Sequence, residues 1–228
     1  MDMQETRQLN IEVVSDTICP WCYVGKRRLE RALKLLGRPA KVEWRPFQLN
    51  PEMPAGGLNR REYRTRKFGS WEHSLQLDAQ VRAAGAEVGI DFAHDKIERT
   101  PNTLASHKLI WLAGKHGLQG AAVEALFRAY FVEGRDIGDD DVLMELGVSV
   151  GVAGADIRKA LQDQEVDRAV GEQEARFHTL AVGGVPTFVV NGQPLASGAQ
   201  HESVLVEAFG EATAADERQT CSLADTCS

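Results

Sequence analysis

The residues richest in chemistry lie near the start of the chain: Cys19-Pro20-Trp21-Cys22, set in the stretch IEVVSDTICPWCYVGKRRLERAL. Two cysteines at this spacing can ligate a metal, close a structural disulfide or pass electrons. The motif follows a strand-like run and opens a helical one. In a helix, residues i and i+3 are neighbours at a Cα separation that suits a disulfide. Cys19 is then expected at the N-cap, exposed at the helix start, with Cys22 one turn in and more buried. A thiolate at Cys19 would accept the free backbone N–H groups there, and the positive end of the helix dipole favours the same ionised form. Cys19 reads as the nucleophile and Cys22 as the resolving thiol. Attack of Cys19 on a substrate disulfide gives a mixed disulfide that Cys22 resolves, and the reverse steps oxidise a dithiol. Pro20 suits the first helical position, because the N–H it lacks would be unpaired anyway. Trp21 offers either an apolar face for an unfolded peptide or simple packing.

A second group stands far along the chain, in Gly183-Gly184-Val185-Pro186-Thr187. Proline cannot donate to a strand ladder, so Pro186 belongs at a strand start or edge. A trans bond would simply end a loop there. A cis bond would turn the Val185 backbone outward, free to pair with a bound peptide.

The elements that must position these groups can be traced by period. Asn10 to Val14 suggest a short strand. Leu29, Leu33 and Leu36 then mark one apolar helical face, which Gly37-Arg38-Pro39 stops. Lys41 to Phe47 alternate as a second strand, so the first units read β-α-β with parallel strands and a right-handed crossover. No strand signal intervenes between about residues 58 and 175. Thr100-Pro101 looks like an N-cap with proline at the first helical position. Apolar stripes follow at Ala105, Leu109, Leu112 and Ala113, at Val123 to Phe131, and in helices beginning near Asp139 and Asp156. The aromatic residues in this region read as helical core. Thr187 to Val190 restore the strand signal, Asn191-Gly192 is a hairpin turn, and Gln193 to Ala196 return. A terminal helix from about Gln200 to Phe209 turns Leu205, Ala208 and Phe209 inward. The layout is α/β: a mixed sheet built from residues 9–57 and 176–212, interrupted by a helical insertion over 58–175, with a polar tail over 213–228 that reads as mobile.

The bulk numbers narrow the function. A chain of 228 residues can bury a substantial core, and 43% hydrophobic with 26% charged residues fits an ordinary globular protein. A formal net charge of -7 argues against a general phosphate-binding surface. The run Lys26-Arg27-Arg28 is too short to overturn that and reads as a solvated helix face. The first fourteen residues carry acids and no apolar core, so no secretory signal is expected, and no segment is long and apolar enough to span a membrane. The expected compartment is the cytoplasm, where stable disulfides are uncommon, which favours redox or metal work for the cysteines.

The strand followed by Cys-Pro-Trp-Cys-Tyr, then Gln48-Leu49-Asn50-Pro51, then Val185-Pro186-Thr187-Phe188-Val189 resembles the DsbA family of thioredoxin-fold oxidoreductases, most closely its FrnE-like cytosolic branch. The resemblance spans roughly Ile11 to Phe209. It implies a thioredoxin fold interrupted by a helical domain, and a cis Val185–Pro186 bond lying against Cys19. It also implies that Asn102 and Thr103 lie near the redox cleft, whereas the plainer reading makes them first-turn helix residues. Partners implied are thiol- or disulfide-containing proteins, with no bound cofactor or metal. Glutathione or a thioredoxin-type system would supply electrons. In a reducing compartment a reductase or isomerase role is favoured over an oxidase one.

Cys221 and Cys227 form a second pair in the tail. They read either as an auxiliary redox pair that exchanges with Cys19 and Cys22, or as dispensable tail residues. A four-cysteine zinc site is the weaker account, since zinc pairs sit on knuckle turns rather than at the head of a long helix. His178, near the Val-Pro loop, is the histidine to test as a proton carrier. A rival function is a glutathione-dependent isomerase or transferase, of the kappa-class or 2-hydroxychromene-2-carboxylate isomerase type. Those families resemble the same architecture but carry a serine where this chain has Cys19, and lack the second cysteine.

Overall fold

A computed structural model describes residues 8–180 and 182–212 of the chain. In chain order the elements are β1 (Leu9–Ser15), α1 (Pro20–Leu36), β2 (Ala40–Pro46), β3 (Leu58–Asn59), α2 (Arg60–Phe68), α3 (Trp71–Glu87), β4 (Arg99–Thr100), α4 (Leu104–Lys115), α5 (Gln119–Phe131), α6 (Asp140–Ser149), α7 (Gly154–Gln162), α8 (Gln164–Thr179), β5 (Thr187–Val190), β6 (Gln193–Ser197) and α9 over residues 202–212. A single 3-10 turn covers His94–Lys96.

Alternation along β1 organises the sheet. Leu9, Ile11 and Val13 pack in one cluster with Val24 and Leu29 of α1, Phe188 and Val190 of β5, and Leu205 and Phe209 of α9. Val14 points the other way, into a smaller cluster with Phe47, Phe177 of α8 and Val189. Successive side chains of a strand face opposite sides, so one seven-residue strand serves both layers. The sheet order is β2-β1-β5-β6. β1 runs parallel to β2, with Ile11 opposite Val42, and antiparallel to β5, with Val13 opposite Phe188. Asn191 and Gly192, at φ 52° and 76°, make the tight turn into β6, the backbone such a two-residue hairpin requires. This is the thioredoxin-like mixed sheet that the sequence predicts.

α1 places the motif. It begins at Pro20 and ends where Gly37 adopts φ 62° and donates its N–H to Leu33 O at 3.2 Å. Its inward face carries Cys22, Tyr23, Lys26 and Leu29. Tyr23 stacks on Phe127 of α5 at 5.1 Å and meets Phe92 edge-on at 6.0 Å. Residues 26 to 28 are not a solvated face. Lys26 is buried and pairs with Glu30 and Glu124, Arg27 pairs with Glu124, and Arg28 donates to Ala199 O. They bolt α1 to α5 and to the segment before α9.

Three expectations about the elements change. β3 and β4 pair antiparallel, Leu58 opposite Thr100, inside the stretch expected to hold no strand. Two-residue strands carry no alternation to detect. Thr100 therefore stays extended, and α4 starts at Leu104, not after Pro101. α9 starts at residue 202, two later than Gln200.

Candidate active site at the head of the first helix

Cys19 is the N-cap of α1, with extended backbone at φ -90° and ψ 110°. Its N–H donates to Asp16 O at 3.1 Å, and its carbonyl accepts from Cys22 N at 3.0 Å. Two features depart from the sequence reading. Cys19 is only 6% exposed, and its side chain makes no capping bond to the helix N–H groups. The thiol instead donates across the fold to Val185 O at 3.7 Å. Residues 166 positions apart in the chain outcompete the local cap.

Both cysteines are free thiols. Cys22 is wholly inaccessible. Burial pushes its thiol up, and the neighbouring Cys19 adds to the rise, while the Ser15 side chain and the Asp16 backbone pull the other way. The two thiols thus stand in different surroundings one helical turn apart. Such a pair can close to a disulfide and give up two electrons, or take them back.

The Val185–Pro186 bond is cis. Pro186 lies against α1 where that helix has Gly25: a Cβ there would stand 2.8 Å from Pro186 Cγ. The segment is tied down on its other side too. Pro186 O accepts from Gly198 N at 2.7 Å, and Thr187 Oγ1 donates to Gly184 O at 2.7 Å. Trp21 is 38% exposed at the helix start, and Pro20 beside it is half-buried.

Asn102 is tied to the loop after β2. Asn102 Nδ2 donates to Met53 O at 2.7 Å, and its Oδ1 accepts from Leu104 N at 2.9 Å. Thr103, the residue before α4, is buried. The sequence reading missed the polar contacts that the turn before Cys19 makes with α4. Asp16, wholly buried, accepts from Leu49 N at 2.7 Å through Oδ2, and its Oδ1 lies 3.4 Å from Nε2 of the buried His107. Thr17 and Ser106 share a hydrogen bond of 2.7 Å. The available signal was Thr103, Ser106 and His107 at i, i+3, i+4, a polar patch on an otherwise apolar helix face. His178 is more than half exposed and packs on Phe47 at 5.1 Å, whereas His107 is buried and meets Asp16 in the turn before Cys19.

Cys221 and Cys227 lie outside the described residues. Among the described residues, no group of three or more His, Cys, Asp or Glu is arranged to hold a metal ion, and no helix is long and apolar enough to cross a membrane.

Comparisons with known proteins agree over nearly the whole chain. The uncharacterized protein YwbO of Bacillus subtilis (strain 168) is 29% identical over 206 residues, which cover 89% of this chain and 96% of YwbO. The crystal structure of a probable DsbA oxidoreductase from Streptomyces coelicolor superposes with a TM-score of 0.82 at 31% identity, covering 90% of this chain and 89% of that one. The cytosolic disulfide reductase DsbM from Pseudomonas aeruginosa, solved with GSH, shares the fold at a TM-score of 0.62 and 19% identity, covering 93% of this chain and 99% of that one. Fold and site together define an enzyme of thiol–disulfide exchange, an oxidoreductase or isomerase. The chain belongs to the DSBA-like thioredoxin domain family, whose model matches residues 10–210.

Proposed function

We propose that the protein is a cytoplasmic protein thiol-disulfide oxidoreductase that works as a reductase or isomerase. The observation that carries this reading is the asymmetry of the pair: Cys19 at the helix start under the Val185 carbonyl, Cys22 sealed one turn in. Cys19 thiolate attacks one sulfur of a substrate disulfide. A Cys19–substrate disulfide forms, and the other substrate sulfur leaves as a thiolate. Cys22 loses its proton and attacks Cys19 Sγ, closing Cys19–Cys22 and releasing the second substrate thiolate. Two electrons pass to the substrate. A thiol of the glutathione or thioredoxin type returns them to Cys19–Cys22. The pushed-up Cys22 thiol suits this order, because a protonated resolving thiol leaves Cys19 to react first.

Pro20, Trp21, Val185 and Pro186 would form the rim on which a substrate segment rests. The cytoplasmic setting and glutathione as donor are favoured by the likeness to a cytosolic reductase solved with GSH. Cys221 and Cys227 would act as an auxiliary pair exchanging with the first. Unchanged recycling after both are replaced by serine removes that role.

The test is a glutathione redox titration followed by tryptophan fluorescence, with Trp21 as the reporter inside the motif. A reversible two-electron transition, abolished in Cys22→Ser, is expected. Its midpoint gives the net direction in a reducing compartment. The absence of any transition would falsify the proposal.

A further inference from the structure

The loop after β2 and helix α2 form a groove of about 610 Å³, open to solvent and within the size range of binding clefts. Leu49, Met53 and Leu58 give it an apolar lining, and Lys67 lines it from α2. Leu49, Asn50, Tyr63 and Lys67 also line a smaller cavity of about 100 Å³. That cavity reaches Ile18 and Pro20, the residues on either side of Cys19. The groove therefore adjoins the head of α1.

Its loop wall is held by its own hydrogen bonds. Asp16 Oδ2 accepts from Leu49 N at 2.7 Å, which ties the start of the loop to the turn before Cys19. Met53 N donates to Asn50 O at 3.0 Å, Met53 O accepts from Asn102 Nδ2 at 2.7 Å, and Gly57 N donates to Pro54 O at 2.8 Å. A preformed groove spares a ligand the cost of ordering its walls.

Helix α2 reads RREYRTRKF, five cations against Glu62, in a chain of net charge -7. Most are matched. Arg60 and Arg64 pair with Asp78, Arg66 pairs with Glu62, and Arg61 lies over the Trp71 ring at 5.5 Å. Lys67 meets no carboxylate among the described residues. Its Nζ donates to Tyr63 Oη at 2.8 Å and to Asn50 Oδ1 at 3.2 Å, both neutral acceptors. Glu52 lines the groove but not the smaller cavity, whereas Lys67 lines both, so the unmatched positive charge stands at the end nearer Cys19. An ammonium only donates, so the oxygen of the Asn50 amide is the atom turned toward Lys67. Asn50 Nδ2 is left without an acceptor, although buried polar groups are ordinarily paired.

We propose that this groove docks an extended segment of a disulfide-bonded protein substrate, with apolar side chains against Leu49 and Leu58 and a carboxylate at Lys67. The proposal rests on the thiol-disulfide reading above and names the kind of protein the pair serves. An unfolded segment brings what the groove lacks: apolar side chains for its lining, an acid for the ammonium, and main-chain carbonyls for the Asn50 amide. The cysteine of the segment reaches Cys19 past Pro20, and the exchange steps are those already given.

The test uses the full chain in its dithiol form and measures the second-order rate of its oxidation in stopped flow. The probes are short peptides carrying one cysteine as a mixed disulfide with mercaptoethanol. One peptide is built of leucines and aspartates, one of leucines and lysines, one of glycines and serines. Glutathione disulfide is the small anionic probe. Each rate is divided by that of hydroxyethyl disulfide, which has no segment to dock, on the same variant. Leu58 belongs to neither core cluster and Lys67 is exposed, so Leu58→Ser and Lys67→Glu should fold. The leucine–aspartate peptide is expected to exceed the glycine–serine peptide about tenfold. Leu58→Ser should remove most of that advantage, and Lys67→Glu should turn the preference to the leucine–lysine peptide. Equal ratios for the three peptides overturn the docking site, and so does an advantage that both variants leave intact. A leucine–lysine peptide that is the faster of the two in the natural protein overturns the carboxylate at Lys67. A glutathione-disulfide ratio that falls in Leu58→Ser as far as the peptide ratio assigns the groove to a small molecule and overturns the protein occupant. Failure of every disulfide to oxidise the protein, hydroxyethyl disulfide included, overturns the docking site together with the oxidoreductase reading.

Discussion

Asp16 and His107 face each other at 3.4 Å beneath the cysteine motif, both buried, with neither Asp16 Oδ1 nor His107 Nε2 carrying a hydrogen-bond partner. The other oxygen of Asp16 holds Leu49 N. One carboxylate thus joins the turn before Cys19, the loop after β2 and helix α4. Asp16→Ala leaves the Leu49 N–H without its acceptor, and an unsatisfied buried donor costs about 1–3 kcal/mol. Urea unfolding should show a midpoint lowered to match. An unchanged midpoint would mean that the loop repairs itself with water.

The two thiols should differ in reactivity. Cys22 is inaccessible and its thiol is pushed up, whereas Cys19 retains a small opening. Brief iodoacetamide treatment near neutral pH, followed by peptide mass mapping, should label Cys19 well before Cys22. Labelling of Cys22 is expected only once the protein is unfolded. Equal labelling of the two in the native protein would contradict the burial described.

Gly25 is held small by Pro186. Alanine in mid-helix would ordinarily add about 1 kcal/mol of helix propensity. Here the new Cβ would stand 2.8 Å from Pro186 Cγ, and overpacking in a filled interior costs about 1–3 kcal/mol. Overpacking should win, so Gly25→Ala lowers the thermal midpoint. A raised midpoint would show that Pro186 has room to retreat.

His94 should make stability depend on acid. Burial pulls its pKa from the ordinary 6.5 down to about 4, with Arg60, Arg64 and Arg82 acting in the same sense and Asp78 against. The unfolded chain therefore takes up a proton that the folded protein refuses. Stability from the neutral imidazole is whole above about pH 6.5 and is lost as pH falls through 4, up to roughly 3 kcal/mol. Urea midpoints measured from pH 7 to 4 should fall more steeply in the natural protein than in His94→Phe. Parallel slopes would remove His94 as the cause.

What could be read from the sequence was whatever has a period or a local rule. β1, α1, β2 and the Asn191-Gly192 hairpin follow from alternation, helical spacing and turn chemistry, and the two sulfurs follow from one motif. What escaped depends on meetings between distant segments. Lys26 and Arg27 looked like surface charge because their partner Glu124 sits on α5. Cys19 looked like a capped thiol because the competing carbonyl belongs to Val185. β3 and β4 exist only as partners of one another and are too short to leave a pattern. Asp16 gave no signal, since an acid in a turn is ordinary until a histidine from α4 is seen beside it.

The bond from Cys19 to Val185 spans 166 positions. On a ribosome adding about 5–20 residues per second, roughly 8–33 s separate the emergence of the cysteines from that of the segment that covers them. For most of that interval β1 can have β2 as a neighbour but no β5, and throughout it α1 has no Pro186 against Gly25. Both sulfurs are open to the thiols and oxidants around the nascent chain. The pair therefore takes up the redox state of its birthplace before the finished fold begins to control which sulfur reacts first.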